Sequence, residues 1–153
     1  AMSGAQDPTR PLAPFMASTT SQVTAQSQGL HAGFLRLEEP SQIRSRLAQA
    51  ARDSEPVLLD FYADWCISCK VMERRVFSDG TVIMALEPFT LLQIDLTDNT
   101  PAQQALLDEL GLFGPPALLF YHPDGREAES QRVLGEMNRD QFLEHISKVQ
   151  RIL

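Results

Sequence analysis

Several residue types are scarce in this chain, and each scarcity excludes something. Of its 153 residues only two are cysteine, three are histidine and one is tryptophan. Two cysteines cannot build the disulfide framework that staples small secreted domains. No second cysteine pair exists, and His31, His122 and His145 lack ligand spacing, so a zinc site is short of its four donors. No apolar run approaches the roughly 18 residues that a membrane-spanning helix needs, so direct membrane insertion of this segment is not expected. Basic residues are outnumbered, 13 against 20 acidic ones, for a net charge of −7. That balance argues against nucleic acid or anionic lipid as a main partner. A basic region followed by a continuous apolar stretch is missing from the N-terminus, so no signal peptide is read there.

The length suits one domain with a real core. Residues 1–33 are rich in Ala, Ser, Thr, Gln and Pro and hold only Asp7 and Arg10 as charges. Such a stretch buries too little to offset its ordering entropy. It is expected to be a flexible linker, with Ala1-Met2 a tag remnant, ahead of a folded domain at 34–153.

The folded part is organised around Asp60-Phe61-Tyr62-Ala63-Asp64-Trp65-Cys66-Ile67-Ser68-Cys69-Lys70, which holds both cysteines and the tryptophan. The apolar Val57-Leu58-Leu59 leads in, and Cys69, Met72, Val76 and Phe77 follow at helical spacing. The pattern predicts a buried strand, a short loop and a helix whose first turn carries Cys-x-x-Cys. Backbone N–H groups and the positive end of the dipole favour thiolate at a helix N-terminus. Cys66 is therefore the candidate nucleophile, and Cys69, one turn further in and expected to be more buried, the candidate resolving thiol. A structural disulfide would close a loop too short to constrain the unfolded chain much. Two inert core cysteines fit poorly with Trp65 and Lys70 alongside.

Elsewhere Phe34–Leu37 reads as an edge strand and Ser41 as the N-cap of a helix bearing Ile43 and Leu47. Ser78 or Asp79 caps a short helix ended by Pro88, and 89–96 reads as a strand. Thr100-Pro101 starts a helix that stops at Gly111. Residues 117–121 form a strand, His122-Pro123-Asp124-Gly125 a turn, and 127–134 the second arm of a hairpin. Asn138 caps a last amphipathic helix. The order of elements gives an α/β sandwich.

Asp60 lies in a run too apolar for a strand with one wet face, so its carboxyl needs a partner or must stay neutral. Glu73 falls one turn beyond Cys69 and two beyond Cys66, on one helix face.

The motif Asp60-Phe61-Tyr62-Ala63-Asp64-Trp65-Cys66-x-x-Cys69-Lys70 resembles the active-site signature of thioredoxin-like proteins. With Phe77-Ser78-Asp79, Leu91-Leu92-Gln93, Gly114-Pro115-Pro116 and Gly135, the likeness is greatest to the C-terminal periplasmic domains of DsbD-type thiol:disulfide interchange proteins. It covers about Phe34 to Ile152. The resemblance implies a thioredoxin fold: a central mixed β-sheet flanked by helices, with a C-terminal β-hairpin and helix. It implies a protein-disulfide reductase, active through a redox-active Cys66–Cys69 disulfide and needing no other cofactor or metal. Asp60 and Glu73 match the family's active-site acids. Pro116 matches its cis-proline, beside which the backbone of Pro115 and the ring of Trp65 would meet substrate. Pro115 has no N–H, so only the carbonyl half of that backbone clamp can operate. The implied setting is the periplasm, in a monomeric soluble domain of an inner-membrane protein. Electrons would come from a transmembrane donor domain and pass to an N-terminal periplasmic acceptor domain, and onward to disulfide isomerases and cytochrome c biogenesis. Two other readings stand beside it: a free-standing thioredoxin-like reductase, and a metal-binding module using the two cysteines.

Overall fold

A computed structural model describes residues 33–153. The expected linker, but for Gly33, lies outside the described residues.

Strand β2 (Val57–Tyr62) is the centre of the sheet, and all six of its residues are buried. Burial on both faces explains why it reads as a continuous apolar run rather than an alternating one. Strand β3 (Thr90–Asp95) pairs with β2 in parallel, and β1 (Leu35–Leu37) pairs with β3 in parallel at one edge. On the other side β4 (Ala117–Tyr121) runs antiparallel to β2, and β5 (Val133–Leu134) antiparallel to β4. The sheet order is therefore β1-β3-β2-β4-β5, a mixed sheet as expected.

Helices α1 (Pro40–Arg52) and α4 (Pro101–Leu110) cover one face, packing Ile43, Ala50, Leu106 and Leu107 on Leu59, Phe61, Leu92 and Ile94. Helices α2 (Ile67–Arg75), α3 (Gly80–Ala85) and α5 (Arg139–Ile152) cover the other. There Met72, Val82, Phe142, Ile146 and Val149 meet Leu58, Leu118 and Phe120.

Local chemistry sets most helix ends. Thr100 and Gln103 form a capping box on α4, Asn138 and Gln141 one on α5, and Asp79 caps α3 through two backbone N–H groups. Gly111 ends α4 at φ 72°, a conformation cheap only for glycine. Two ends differ from expectation. The N-cap of α1 is Glu39 and not Ser41, because Pro40 takes the first helical position and needs no N–H partner. Helix α3 stops at Ala85, well before Pro88.

The hairpin is also shorter than expected. After the turn, Tyr121 and Glu127 make a single bridge, a 3-10 turn (Glu129–Gln131) intervenes, and only Val133–Leu134 rejoins the sheet. The stretch 127–132 has one apolar side chain to bury, Ala128. Arg132 instead turns back to grip both oxygens of Glu127, at 2.6 and 2.9 Å, and donates to the Leu110 carbonyl at 2.9 Å.

Candidate active site

The end of β2 leads into the cysteine motif. Ala63 is wholly buried, and its carbonyl accepts from the Cys66 N–H at 3.0 Å, which turns the chain into α2. Cys66 is the N-cap of that helix, and its Sγ accepts from the Cys69 N–H at 3.2 Å. A sulfur held this way faces the unpaired donors of the first turn, the arrangement that stabilises a thiolate. Cys66 and Cys69 are joined as a disulfide with their Cα atoms 5.3 Å apart.

One expectation is corrected here. Cys69 is not the more buried of the pair, since each cysteine is 7% exposed. Joined in the disulfide, the two residues are equally buried, so burial does not rank them. Position does: Cys66 occupies the cap, whereas Cys69 lies a turn inside, its Sγ 3.7 Å from the Phe61 carbonyl oxygen.

Asp60 is buried in β2, and its partner is a side chain. The Gln93 amide donates to Asp60 Oδ2 at 2.6 Å. Gln93 Oε1 in turn accepts from Arg36 Nε at 2.6 Å, and Arg36 Nη2 reaches Glu73 Oε2 at 3.2 Å. The guanidinium lies 4.3 Å from the centre of the Tyr62 ring and 4.0 Å from an Asp95 oxygen. Register explains the line: Arg36 pairs with Gln93 across β1 and β3, and Gln93 with Asp60 across β3 and β2. Burial pushes the Asp60 carboxyl up to about 7 against the lowering pull of the Gln93 hydrogen bond. Glu73 adds to the rise and Arg36 opposes it. The structure thus brings Glu73 into the same network as Asp60, through Arg36.

The rim is set by the loop after β3. Thr97 Oγ1 accepts from the Asp64 N–H at 2.9 Å, and the Thr97 carbonyl accepts from the Trp65 indole N–H at 3.2 Å. Trp65 is a surface aromatic, 59% exposed. Tyr62 donates its hydroxyl proton to Asp64 at 2.9 Å and accepts from Lys70 at 3.4 Å. The Pro115–Pro116 peptide bond is cis. It sits just ahead of Ala117, which pairs with Phe61, so this proline pair lies at the cysteine end of the sheet. Ile67 and Phe113 add two large exposed apolar side chains beside the motif and the proline pair.

Sequence reasoning missed Arg36, Gln93 and Thr97. A signal for the first two was present: each is a polar residue in an otherwise apolar strand segment, as Asp60 is, and buried polar groups need partners.

A thioredoxin-like family profile matches residues 39–123, more than half of the chain. The C-terminal domain of *Neisseria meningitidis* DsbD in its oxidised form is 39% identical, with 74% of this chain and 98% of that one covered and a TM-score of 0.65. The chain belongs to the thioredoxin-like family, among the DsbD C-terminal domains. The reduced form of the same *Neisseria* domain matches at 38% identity and a TM-score of 0.64, over 74% of this chain and 98% of that one. Thiol:disulfide interchange protein DsbD 1 of *Pseudomonas aeruginosa* is 42% identical over 97% of this chain but only 24% of its own length. This DsbD-type domain spans about a quarter of the curated relatives it matches. It carries the thioredoxin fold and the Cys66–Cys69 pair of a thiol:disulfide oxidoreductase. No described helix is long and apolar enough to cross a membrane.

Proposed function

We propose that this domain reduces disulfides of partner proteins, with Cys66 as the attacking sulfur. The observation that carries the reading is the cap geometry, with Cys66 Sγ at the end of α2 and joined to Cys69 one turn in. In the reduced domain the Cys66 thiolate attacks one sulfur of a partner disulfide and expels the other as a thiolate, which takes up a proton. Cys69, losing its proton, then attacks the Cys66 sulfur of the mixed disulfide and expels the partner's second sulfur as a thiolate, which takes up a proton. Two electrons leave the domain, the partner gains two thiols, and Cys66–Cys69 is left oxidised. We assign the proton of the second step to Asp60, whose carboxyl is raised to about 7 on the strand that leads into the site, with Glu73 joined to it through Arg36 and Gln93.

Trp65, Pro115 and Pro116 are assigned to substrate contact, with the Pro115 carbonyl as the acceptor for a partner's backbone N–H. The likeness to DsbD supports a setting in the periplasm within a larger membrane protein. There a transmembrane domain would reduce Cys66–Cys69 and an N-terminal domain would accept the electrons. Among the described residues, no cluster of three or more His, Cys, Asp or Glu is arranged to hold a metal.

Trapping tests the assignment. Cys69→Ser, reduced and mixed with a disulfide-bearing acceptor, is expected to accumulate a mixed disulfide through Cys66, seen as a reducible mass adduct. Cys66→Ser is expected to give none. Adduct formation by Cys66→Ser alone would reverse the roles of the two sulfurs.

A further inference from the structure

We infer that Arg36 and Gln93 are positioning residues for the dithiol, forming a fixed relay that joins the buried Asp60 carboxyl to Glu73 on the cysteine-bearing helix. The inference rests on Cys66–Cys69 being the exchanging pair, and it concerns what sets the charge beside that pair.

The direction of each hydrogen bond decides the argument. A guanidinium has only donors, so Gln93 can face Arg36 only with its Oε1. That leaves the amide nitrogen for Asp60, at 2.6 Å. A free Gln side chain could rotate by half a turn and accept from a protonated acid instead. Held by Arg36 it only donates, and a donor favours the ionised carboxylate. Arg36 therefore acts on Asp60 twice, through its own charge and by fixing the orientation of the amide.

The same guanidinium supplies the Glu73 contact from a second nitrogen, so one cation on the edge strand addresses both carboxylates. The planar fork permits this, and its stacking on the Tyr62 ring holds the plane in place. The groups facing Asp60 are few. Strand β1 contributes Arg36, β3 contributes neutral Gln93 with Asp95 two residues on, and α2 contributes Glu73, whereas its Lys70 is turned to Tyr62 and Asp64. Strand β2 itself adds Tyr62, and β4 pairs apolar Leu118 opposite Asp60. Among the described residues, Arg36 is the one cation bonded into this line. Its side chain is 44% exposed, so solvent weakens its reach but not the amide orientation it imposes.

The test is the titration of Asp60 itself, followed by carboxyl-carbon NMR on the oxidised domain, where no exchange assay enters. Arg36→Gln is expected to raise the proton affinity of Asp60 about tenfold, moving its midpoint to higher pH. Gln93→Leu is expected to raise it at least as far. Arg36→Lys, which keeps the charge but loses the fork, is expected to restore the midpoint only in part. An unchanged midpoint in a folded Arg36→Gln protein overturns the relay and leaves the reductase reading intact. If that variant does not fold, Gln93→Leu decides alone: an unshifted midpoint there is equally fatal. A full rescue by Arg36→Lys would also overturn it, reducing the role of Arg36 to bulk charge.

Discussion

Asp60 shows what a single side chain does to the balance between stability and chemistry. Its carboxyl is pushed up to about 7 in the folded protein, chiefly by burial, from an ordinary value near 3.8. A carboxyl raised by folding contributes most when protonated. The native state therefore loses stability as pH climbs from about 4 to about 7, and stays at the lower level above that. The loss is on the order of 4 kcal/mol, from about 1.4 kcal/mol for each pH unit between the two values. Asp60→Asn is expected to remove that decline, so its advantage over the native domain in urea should widen between pH 4 and pH 7.5. An advantage independent of pH would mean that Asp60 is not the group responsible. The same substitution bears on the thiol. An ionised Asp60 opposes a thiolate at Cys66, while the helix end favours one. In the reduced domain Asp60→Asn should move the midpoint of thiolate absorbance to lower pH. If neither Asp60→Asn nor Glu73→Gln moves it, the carboxylates play no part in activating sulfur.

Among the elements, the caps of α3, α4 and α5 were legible in sequence, because their chemistry is contained within four residues, whereas that of α1 was misplaced at Ser41. Thr100-Pro101-Ala102-Gln103 announces its helix and makes the full capping box. Thr100→Ala is expected to cost about 1 kcal/mol, seen as a lower urea midpoint with an unchanged slope. Strand β2 and the cysteine helix were legible for a similar reason, since a two-sided apolar strand followed by helical spacing has few other readings. The hairpin was legible too, but not the extent of its second arm. Whether 127–134 continues as a strand depends on Arg132, whose partners lie five residues away at Glu127 and 22 away at Leu110. Nor was the relay, whose members are separated by 57 and 33 residues and meet only through the register of three strands. Asp60 could be marked as needing a partner, but sheet order decides which partner it receives. The relative burial of the cysteines failed for another reason: helical spacing places Cys69 a turn further in but does not say how deeply loop and neighbours cover the cap residue Cys66.

At the scale of the whole molecule, the dithiol sits at the end of the central strand, whereas the cation bonded into its line sits on the border. Strand β1 has three residues and, among the described residues, a single neighbour, β3. Short border strands are where a folded protein opens first. Coupling between two events is reciprocal, so whatever Arg36 does for the charge on Asp60, that charge does for the seating of β1. Losing the Asp60 charge should loosen the strand, and unseating the strand should leave the acid more willing to hold a proton. Hydrogen exchange in the native state, corrected for intrinsic rates, is expected to show the β1 amides that pair with β3 better protected at pH 8 than at pH 5.5. Strand β2, buried throughout and opening only with the whole domain, should show the opposite contrast, because the native state is less stable at the higher pH; Asp60→Asn should abolish both, and equal protection of β1 at both values would mean that the two events are independent. Proton occupancy at the centre and fraying at the border are then one equilibrium observed from two ends. Anything that grips or displaces those three border residues becomes an effector of the sulfur chemistry without approaching it.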